Sequence, residues 1–166
     1  MRHQQLLVCG RVYFMHKQEV NRLKFLEDFM KAAGVSTSRL AGLMGITRQS
    51  VHHWFVKDDM KISQVFRLFE LCGYRVEFAL AKDAPQSGLP VDVCMTVVNP
   101  EGPQRLAFLN NALNAHSITR EHLAETLQIG KATVYNWFKS DDCFISYIYA
   151  AAVAYGFRLS IRIIPA

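Results

Sequence analysis

Hydrophobic residues at helical spacing open a regular pattern near residue 23. Leu23, Leu26, Phe29 and Met30 recur three or four positions apart, which is typical of an amphipathic helix with one buried face. Gly34 follows this run and can adopt the left-handed conformation that often ends a helix. The pattern therefore predicts a first helix that stops at Gly34.

Three further helices are predicted before residue 73. Ser36, Thr47 and Ser63 are placed as N-caps of the second, third and fourth helices, because a hydroxyl oxygen can accept a hydrogen bond from a first-turn N–H group. Gly45 can take a positive φ and turn the chain between the second and third helices. We expect the third helix at residues 48–55 and the fourth at residues 64–72.

Alternation of apolar and polar residues predicts strands at 74–80 and 157–163. Residues 91–98 form a further strand candidate, which we expect to pair with residues 74–80 as a hairpin. The strands would give a small antiparallel sheet that joins the two halves of the chain. Residues 1–14 have no predicted partner, and either an edge strand or a loose segment fits them.

The chain repeats itself without a gap after a shift of 83 positions. The matches run over roughly 60 residues and indicate a duplication, so each copy should have the same structure. Thr119 and Ser146 are then the expected caps of the second and fourth helices in the second copy. Matched pairs include Leu40–Ala41 with Leu123–Ala124, Val51 with Val134, Trp54 with Trp137, Asp58–Asp59 with Asp141–Asp142, and Ser63 with Ser146.

The repeat divides the chain into four predicted parts. An N-terminal extension covers residues 1–14, and the first copy with its strand covers 15–80. A linker with the candidate strand covers 81–102, and the second copy with its strand covers 103–166. Two copies are too few for a solenoid, so we expect a mainly α protein with two lobes and a small antiparallel β component.

Composition favours a packed protein, and its moderate positive charge fits either an anionic partner or an ordinary mildly basic protein. Of 166 residues, 51% are hydrophobic and 20% charged, which is typical of a packed chain rather than a disordered one, and the formal net charge is +5. The four cysteines form no CxxC pair, so we expect free thiols in a reducing compartment. No signal peptide and no apolar run of about 18 residues is evident, which predicts a cytoplasmic protein without a membrane partner.

The stretch from Ser36 to Phe55 resembles the helix-turn-helix of the phage repressor and Cro-type (XRE-like) family, present here in two tandem copies. The family pattern places a Leu-Ala pair on the first motif helix, a turn glycine, an aliphatic residue, a Ser or Thr cap, and then an aliphatic residue and a Trp. The residues at those positions are Leu40, Ala41, Gly45, Ile46, Thr47, Val51 and Trp54. The resemblance implies two repressor-like helix-turn-helix lobes.

The same resemblance implies that the third helix of each copy binds double-stranded DNA. Ile46, Val51 and Trp54 can bury one face of that helix, which leaves the opposite face for a major groove. In the first copy Arg48, Gln49 and His53 are the expected base contacts, with His52 beside them and Ser50 and Thr37 as phosphate contacts. In the second copy the expected contacts are Arg120, Lys131, Ala132, Thr133 and Asn136.

The second copy departs from the family pattern at two positions. Gln128 stands where the turn glycine is expected, which costs about 1 kcal/mol if φ is positive there. Gly130 replaces the capping threonine, a weaker cap by a few tenths of a kcal/mol. We therefore expect a less firmly held third helix and weaker binding in the second copy.

Paired acids directly follow both third helices, where relatives often have basic or polar residues. Asp58-Asp59 and Asp141-Asp142 would repel phosphates if they faced DNA. The favoured interpretation is that they cap the loop or the next helix and point away. Paired-carboxylate catalysis is the alternative, but no nucleophile, phosphate loop or metal cluster accompanies them, so we expect no enzyme. His52-His53 diverge by about 100° on a helix and do not predict a metal site.

Together these patterns predict a sequence-specific, DNA-binding transcriptional regulator that uses two recognition helices in one chain. No cofactor and no small-molecule substrate is expected, and a homodimer is left open. The alternative is a protein-interaction module, antirepressor-like or antitoxin-like, built on the same scaffold. A continuous basic face across both third helices would favour DNA, and an acidic collar around them would favour a protein partner.

Overall fold

Eight helices and four strands make up the part of the chain that the computed structural model describes, residues 12–15, 21–82, 94–96 and 104–166. The fold is mostly helical with a small antiparallel sheet, as expected. The elements in chain order are β1 Val12–Met15, α1 Lys24–Ala33, α2 Thr37–Met44, α3 Arg48–Lys57, α4 Ile62–Leu71, β2 Tyr74–Lys82, β3 Cys94–Thr96, α5 Ala107–Ala115, α6 Arg120–Leu127, α7 Lys131–Ser140, α8 Ile145–Tyr155 and β4 Phe157–Pro165.

The strands form one antiparallel sheet in the order β1-β4-β2-β3. The predicted pairing of β2 with the 91–98 segment is confirmed at β3, and residues 12–14 belong to an edge strand. Residues 1–11 of the N-terminal segment lie outside the described residues. The sheet joins the strands predicted at 74–80 and 157–163 with the 91–98 candidate, and β1 adds a fourth strand at its edge.

The sheet follows the sequence repeat. Under the shift of 83 positions β2 corresponds to β4, and the pairing of Tyr13 with Ile161 corresponds to that of Thr96 with Phe78. We therefore define unit 1 as residues 12–82 and unit 2 as residues 94–166. Each described pairing within the sheet then joins a strand of one unit to a strand of the other.

A pseudo-two-fold axis relates the two units. Phe78 lies opposite Ile161, its own counterpart in the repeat, at the centre of the β2–β4 pairing. Lys61 forms an isolated bridge with Phe144, which is likewise its own counterpart. Ile62 N–H donates to the Cys143 carbonyl, and Ile145 N–H donates to the Met60 carbonyl in return. The units are therefore arranged as the two subunits of a symmetric dimer would be, within one chain.

One continuous core runs through both units. Val76, Phe78 and Leu80 alternate on β2 and are buried on the helix side of the sheet, as the period-2 pattern requires. Phe78 of unit 1 stacks on Phe108 of unit 2 with ring centroids 5.5 Å apart. On the other face of the sheet Glu77 pairs with Arg162 across the β2–β4 boundary, at 2.9 Å from the arginine Nε. The units thus share both their sheet and their hydrophobic packing.

The predicted caps of the second and third helices are confirmed. Ser36 accepts from Arg39 N–H, Thr47 accepts from Ser50 N–H, and Thr119 accepts from His122 N–H. Gly34 and Gly45 take left-handed conformations at the ends of α1 and α2, as expected. The third helix, α3, continues to Lys57, two residues beyond its predicted end.

The predicted caps of the fourth helices are wrong. Ser63 and Ser146 lie inside α4 and α8, whose N-cap positions are Lys61 and Phe144. The acceptor for Ser63 N–H is the carboxylate of Asp142 at 3.0 Å, and the acceptor for Ser146 N–H is that of Asp59 at 3.0 Å. Each serine hydroxyl donates to the same carboxylate. A residue of the opposite unit therefore caps each fourth helix.

Candidate nucleic-acid interface

A short turn joins α2 to α3 in unit 1, and residues within the turn determine its conformation. Gly45 has φ 67° and ends α2, and its successor Ile46 packs against the core. Thr47 is extended at φ −78° and starts α3, and its hydroxyl lies 2.8 Å from the Ser50 hydroxyl. Only two residues separate Gly45 from the start of α3 at Arg48, so the connection between the two helices is short.

Buried residues anchor one side of α3. Val51 is fully buried and Trp54 is 7% exposed, and both belong to the core cluster, as the sequence predicted for the tryptophans. Phe55 is partly buried and packs against the same cluster. Ala41 of α2 is also buried, which supplies a small residue where α2 and α3 pack together. The remaining side of α3 is therefore free.

The predicted contact residues of unit 1 lie on that free side. Arg48, Gln49, Ser50, His52 and His53 are all exposed. Thr37, at the first position of α2, is partly exposed. Ser50 differs from the others because its hydroxyl is already engaged with the Thr47 hydroxyl. The α3 surface, which we define as Arg48, Gln49, His52 and His53, is thus presented to solvent rather than packed against the protein.

The segment of unit 1 that contains α2 and α3 carries basic residues and no acidic ones. Between Asp28 and Asp58 the sequence contains no acidic residue, whereas it contains Lys31, Arg39, Arg48 and Lys57 among the basic ones. The first turn of α3 holds no acidic side chain and begins with Arg48. A cation at a helix N-terminus opposes the helix dipole at a cost of about 0.3–1 kcal/mol. An approaching anion would relieve this cost.

In unit 2 the connection between α6 and α7 has the same backbone conformation, but its sequence lacks the turn glycine and the capping threonine. Gln128 is the counterpart of Gly45 and takes the same left-handed conformation, at φ 55°. Gly130 occupies the N-cap of α7 and no side chain accepts a hydrogen bond there. Val134 is fully buried and Trp137 is 6% exposed, so they anchor α7 as Val51 and Trp54 anchor α3. The two departures predicted from sequence are therefore present in the structure.

The predicted contact residues of unit 2 are also accessible. Lys131, Ala132 and Asn136 are exposed, and Thr133 and Arg120 are partly exposed. The Arg120 guanidinium stacks over the Phe138 ring at 4.3 Å from the ring centroid. Arg120 also lines an open cleft of about 490 Å³. Stacking holds the planar group in place and leaves its edge N–H groups available to an acceptor.

Two carboxylates of α6, which the sequence did not point to, contact α7. Lys131 Nζ lies 3.8 Å from a Glu125 carboxylate oxygen. The Tyr135 hydroxyl donates to the Glu121 carboxylate, a bond that lowers the pKa of Glu121 and raises the pKa of Tyr135. Glu121 and Glu125 are one helical turn apart on α6, and this spacing was the available signal. The α6–α7 pair therefore carries both charges, whereas the α2–α3 pair carries only basic residues.

The paired acids after α3 and α7 serve as caps for other helices. Asp58 Oδ2 accepts from Arg22 N–H at 2.8 Å and its Oδ1 from Leu23 N–H at 2.9 Å, at the start of α1. Asp141 accepts from Arg105 and Leu106 in the same way. Backbone donors thus hold all four carboxylates, as expected of capping residues, but the helices that they cap are not the next ones in the chain. The first acid of each pair caps the first helix of its own unit, and the second caps the fourth helix of the opposite unit.

Three further observations limit the chemistry that the described part of the chain can support. No group of three or more His, Cys, Asp or Glu side chains in those ranges could hold a metal ion. Burial raises the pKa of the Cys143 thiol, and the nearby carboxylates raise it further. Among the helices described, none has the length and apolar character that crossing a membrane requires.

Comparison with known proteins yields no match to a protein-family model, to a curated protein or to a solved structure.

Proposed function

We propose that the protein is a sequence-specific double-stranded DNA-binding regulator of transcription. In this proposal α2–α3 and α6–α7 are two helix-turn-helix pairs of the repressor type. The observation that carries the proposal is the α3 surface. Its polar side chains are exposed, its opposite side is anchored by Val51 and Trp54, and no acidic residue occurs from residue 29 to residue 57.

The dimensions and side chains of α3 suit a major groove. Ten residues give a helix about 15 Å long, and the groove of B-DNA is about 12 Å wide. Arg48 can donate two hydrogen bonds to guanine, and Gln49 can pair with adenine through its amide. These residues form the first turn of α3, the part of a recognition helix that contacts base edges. Thr37 and the α2 N-terminus would then contact the backbone phosphates.

The pseudo-two-fold axis supports a site with two halves. Dimeric proteins with this motif contact half-sites about 34 Å apart, one for each recognition helix. In this chain the axis relates α3 to α7, so one molecule would cover both halves. Arg48 and Gln49 correspond to Lys131 and Ala132, so the two half-sites should differ in sequence.

Selection of bound DNA from a random pool, followed by titration across salt concentrations, tests the proposal. Affinity for the selected DNA should fall steeply with salt as phosphate counterions are released. The variant Arg48→Ala should lose about 1–3 kcal/mol of discrimination at one base pair. Arg67→Ala is the matched control, because Arg67 is an exposed arginine on α4. Loss of discrimination in both variants, or in neither, would contradict the assignment of Arg48.

Unit 2 keeps a second candidate function open, a protein-interaction module. Glu121 and Glu125 of α6 contact α7, and Tyr135 is 45% exposed beside them, which gives a mixed polar and aromatic surface of the kind that protein interfaces use. Without DNA binding at low salt, this candidate would replace the first. The salt titration therefore separates the two functions.

A further inference from the structure

The third helices of the two units differ in how their polar side chains are engaged. In unit 2 Lys131 is paired with Glu125, Tyr135 donates to Glu121, and Arg120 stacks over Phe138. Two polar side chains of α7, those of Lys131 and Tyr135, are therefore engaged with carboxylates of their own unit.

Unit 1 cannot form the same contacts. The counterparts of Glu121 and Glu125 are Ser38 and Gly42, neither of which carries a charge. Arg48, the counterpart of Lys131, is exposed and has no acidic residue within the neighbouring helices α2 and α3. Between residues 37 and 57 unit 1 has three basic side chains and no acid, whereas residues 120–140 of unit 2 have three basic side chains and two acids.

We infer that Glu121 and Glu125 weaken DNA binding by unit 2, so that unit 1 selects the base sequence and unit 2 adds contacts with little base preference. This inference rests on the proposed function. Phosphates that approach α7 would meet two carboxylates, and Lys131 would have to leave Glu125 before it reached a base. Glu121 is ionised at neutral pH because the ordinary pKa of a glutamate lies well below 7, and the hydrogen bond from Tyr135 lowers that pKa further.

Alanine variants of the two equivalent basic residues measure the asymmetry. Arg48→Ala should reduce affinity for the selected DNA by roughly 5- to 150-fold, the range for loss of a base contact. Lys131→Ala should reduce it less than about 3-fold, because Lys131 is paired with Glu125 in the free protein. The DNA selected by the natural protein should accordingly contain one well-defined half-site and one poorly defined half-site.

The double variant Glu121→Gln with Glu125→Gln tests the carboxylates directly. Glutamine keeps an oxygen that can accept from Tyr135, so the α6–α7 contact is retained while both charges are lost. Affinity should rise roughly 3- to 10-fold at low salt, because two repulsive charges near the phosphates are removed. Glu27→Gln with Glu70→Gln makes the same change in net charge on α1 and α4 and should alter affinity less than about 2-fold.

The outcomes separate this inference from the proposed function. Equal losses for Arg48→Ala and Lys131→Ala would overturn the inference while DNA binding stands, and so would equal gains for the two glutamine double variants. Absence of salt-dependent DNA binding by the natural protein would overturn the proposed function, and the inference with it. Thermal melting of each variant identifies any loss of affinity that comes from unfolding.

Discussion

Asp58 and Asp141 are held in the left-handed conformation at φ 49° and 53°, directly after α3 and α7. In that conformation each carboxylate accepts two backbone N–H groups at the start of the first helix of its own unit. The dipoles of α1 and α5 also favour a negative charge at the starts of these helices. Asp is among the few residues other than glycine that tolerate a positive φ, so one side chain satisfies both requirements.

Asp58→Ala should lower the free energy of unfolding by about 1–3 kcal/mol, because two helix-start N–H groups lose their acceptor. Asp58→Asn should cost less, since asparagine tolerates the left-handed conformation and retains one acceptor oxygen. Urea unfolding at neutral pH measures both variants. A change below about 0.5 kcal/mol in the alanine variant, the size typical of ordinary surface substitutions, would contradict the role assigned to Asp58.

At the scale of elements, α3 and α7 occupy equivalent positions in the two units, but the turns that precede them contain different residues. Gly45 provides the left-handed turn before α3, whereas Gln128 adopts the same conformation with a side chain attached. Thr47 caps α3, whereas Gly130 provides no side-chain acceptor for α7. Unit 2 therefore bears local strain that unit 1 avoids.

Reciprocal exchange of the turn residues should reveal that strain. Gln128→Gly should raise the free energy of unfolding by about 0.5–1 kcal/mol, and Gly45→Gln should lower it by a similar amount. The reason is that only glycine adopts a positive φ without a Cβ penalty, although its greater freedom in the unfolded chain offsets part of the gain. Thermal and urea unfolding of both variants check the prediction. Changes of the same sign in the two variants would contradict it.

Helix caps made by neighbouring residues could be predicted from the sequence, and caps made by distant residues could not. The capping hydroxyls of Ser36, Thr47 and Thr119 act within their own first turns, so periodicity and cap preference located α2, α3 and α6. The starts of α4 and α8 depend on Asp142 and Asp59, which lie 79 and 87 positions away from the serines that they contact. Local patterns carry no information about such contacts.

The candidate interface shows the same division. Exposure of Arg48, Gln49 and His53 follows from helical spacing once Val51 and Trp54 are buried. The contact between Tyr135 and Glu121 requires α6 and α7 to pack at a particular angle, which spacing within one helix does not specify. Asp59 and Ser63 have identical counterparts in the second copy, and this repetition was a sequence signal of a shared structural role.

At the scale of the whole molecule, the two units depend on each other for their sheet. β2 and β4 pair along nine residues each, and the outer strands β1 and β3 each pair with the central strand of the opposite unit. The reciprocal caps by Asp59 and Asp142 add polar contacts between the units near the Lys61–Phe144 bridge. A single unit would expose both a sheet edge and the core residue Phe78, which an isolated domain avoids.

Splitting the chain should therefore not separate its halves. We expect residues 1–88 and 89–166, coexpressed as separate chains with a tag on one, to purify as a complex of one copy of each. Native mass spectrometry and size-exclusion chromatography measure its composition. Residues 1–88 expressed alone should give no folded monomer. Cooperative unfolding of that fragment as a monomer would contradict the dependence of unit 1 on unit 2.

Because one covalent chain contains both units, the two units can evolve different surfaces. Identical subunits must change together, because every substitution in their common gene appears on both sides of the dimer. In a tethered pair one side can acquire acidic residues such as Glu121 while the other stays basic, and the two kinds of side always occur in equal numbers. A mixture of separately encoded subunits would also contain pairs of like with like, which the tether prevents.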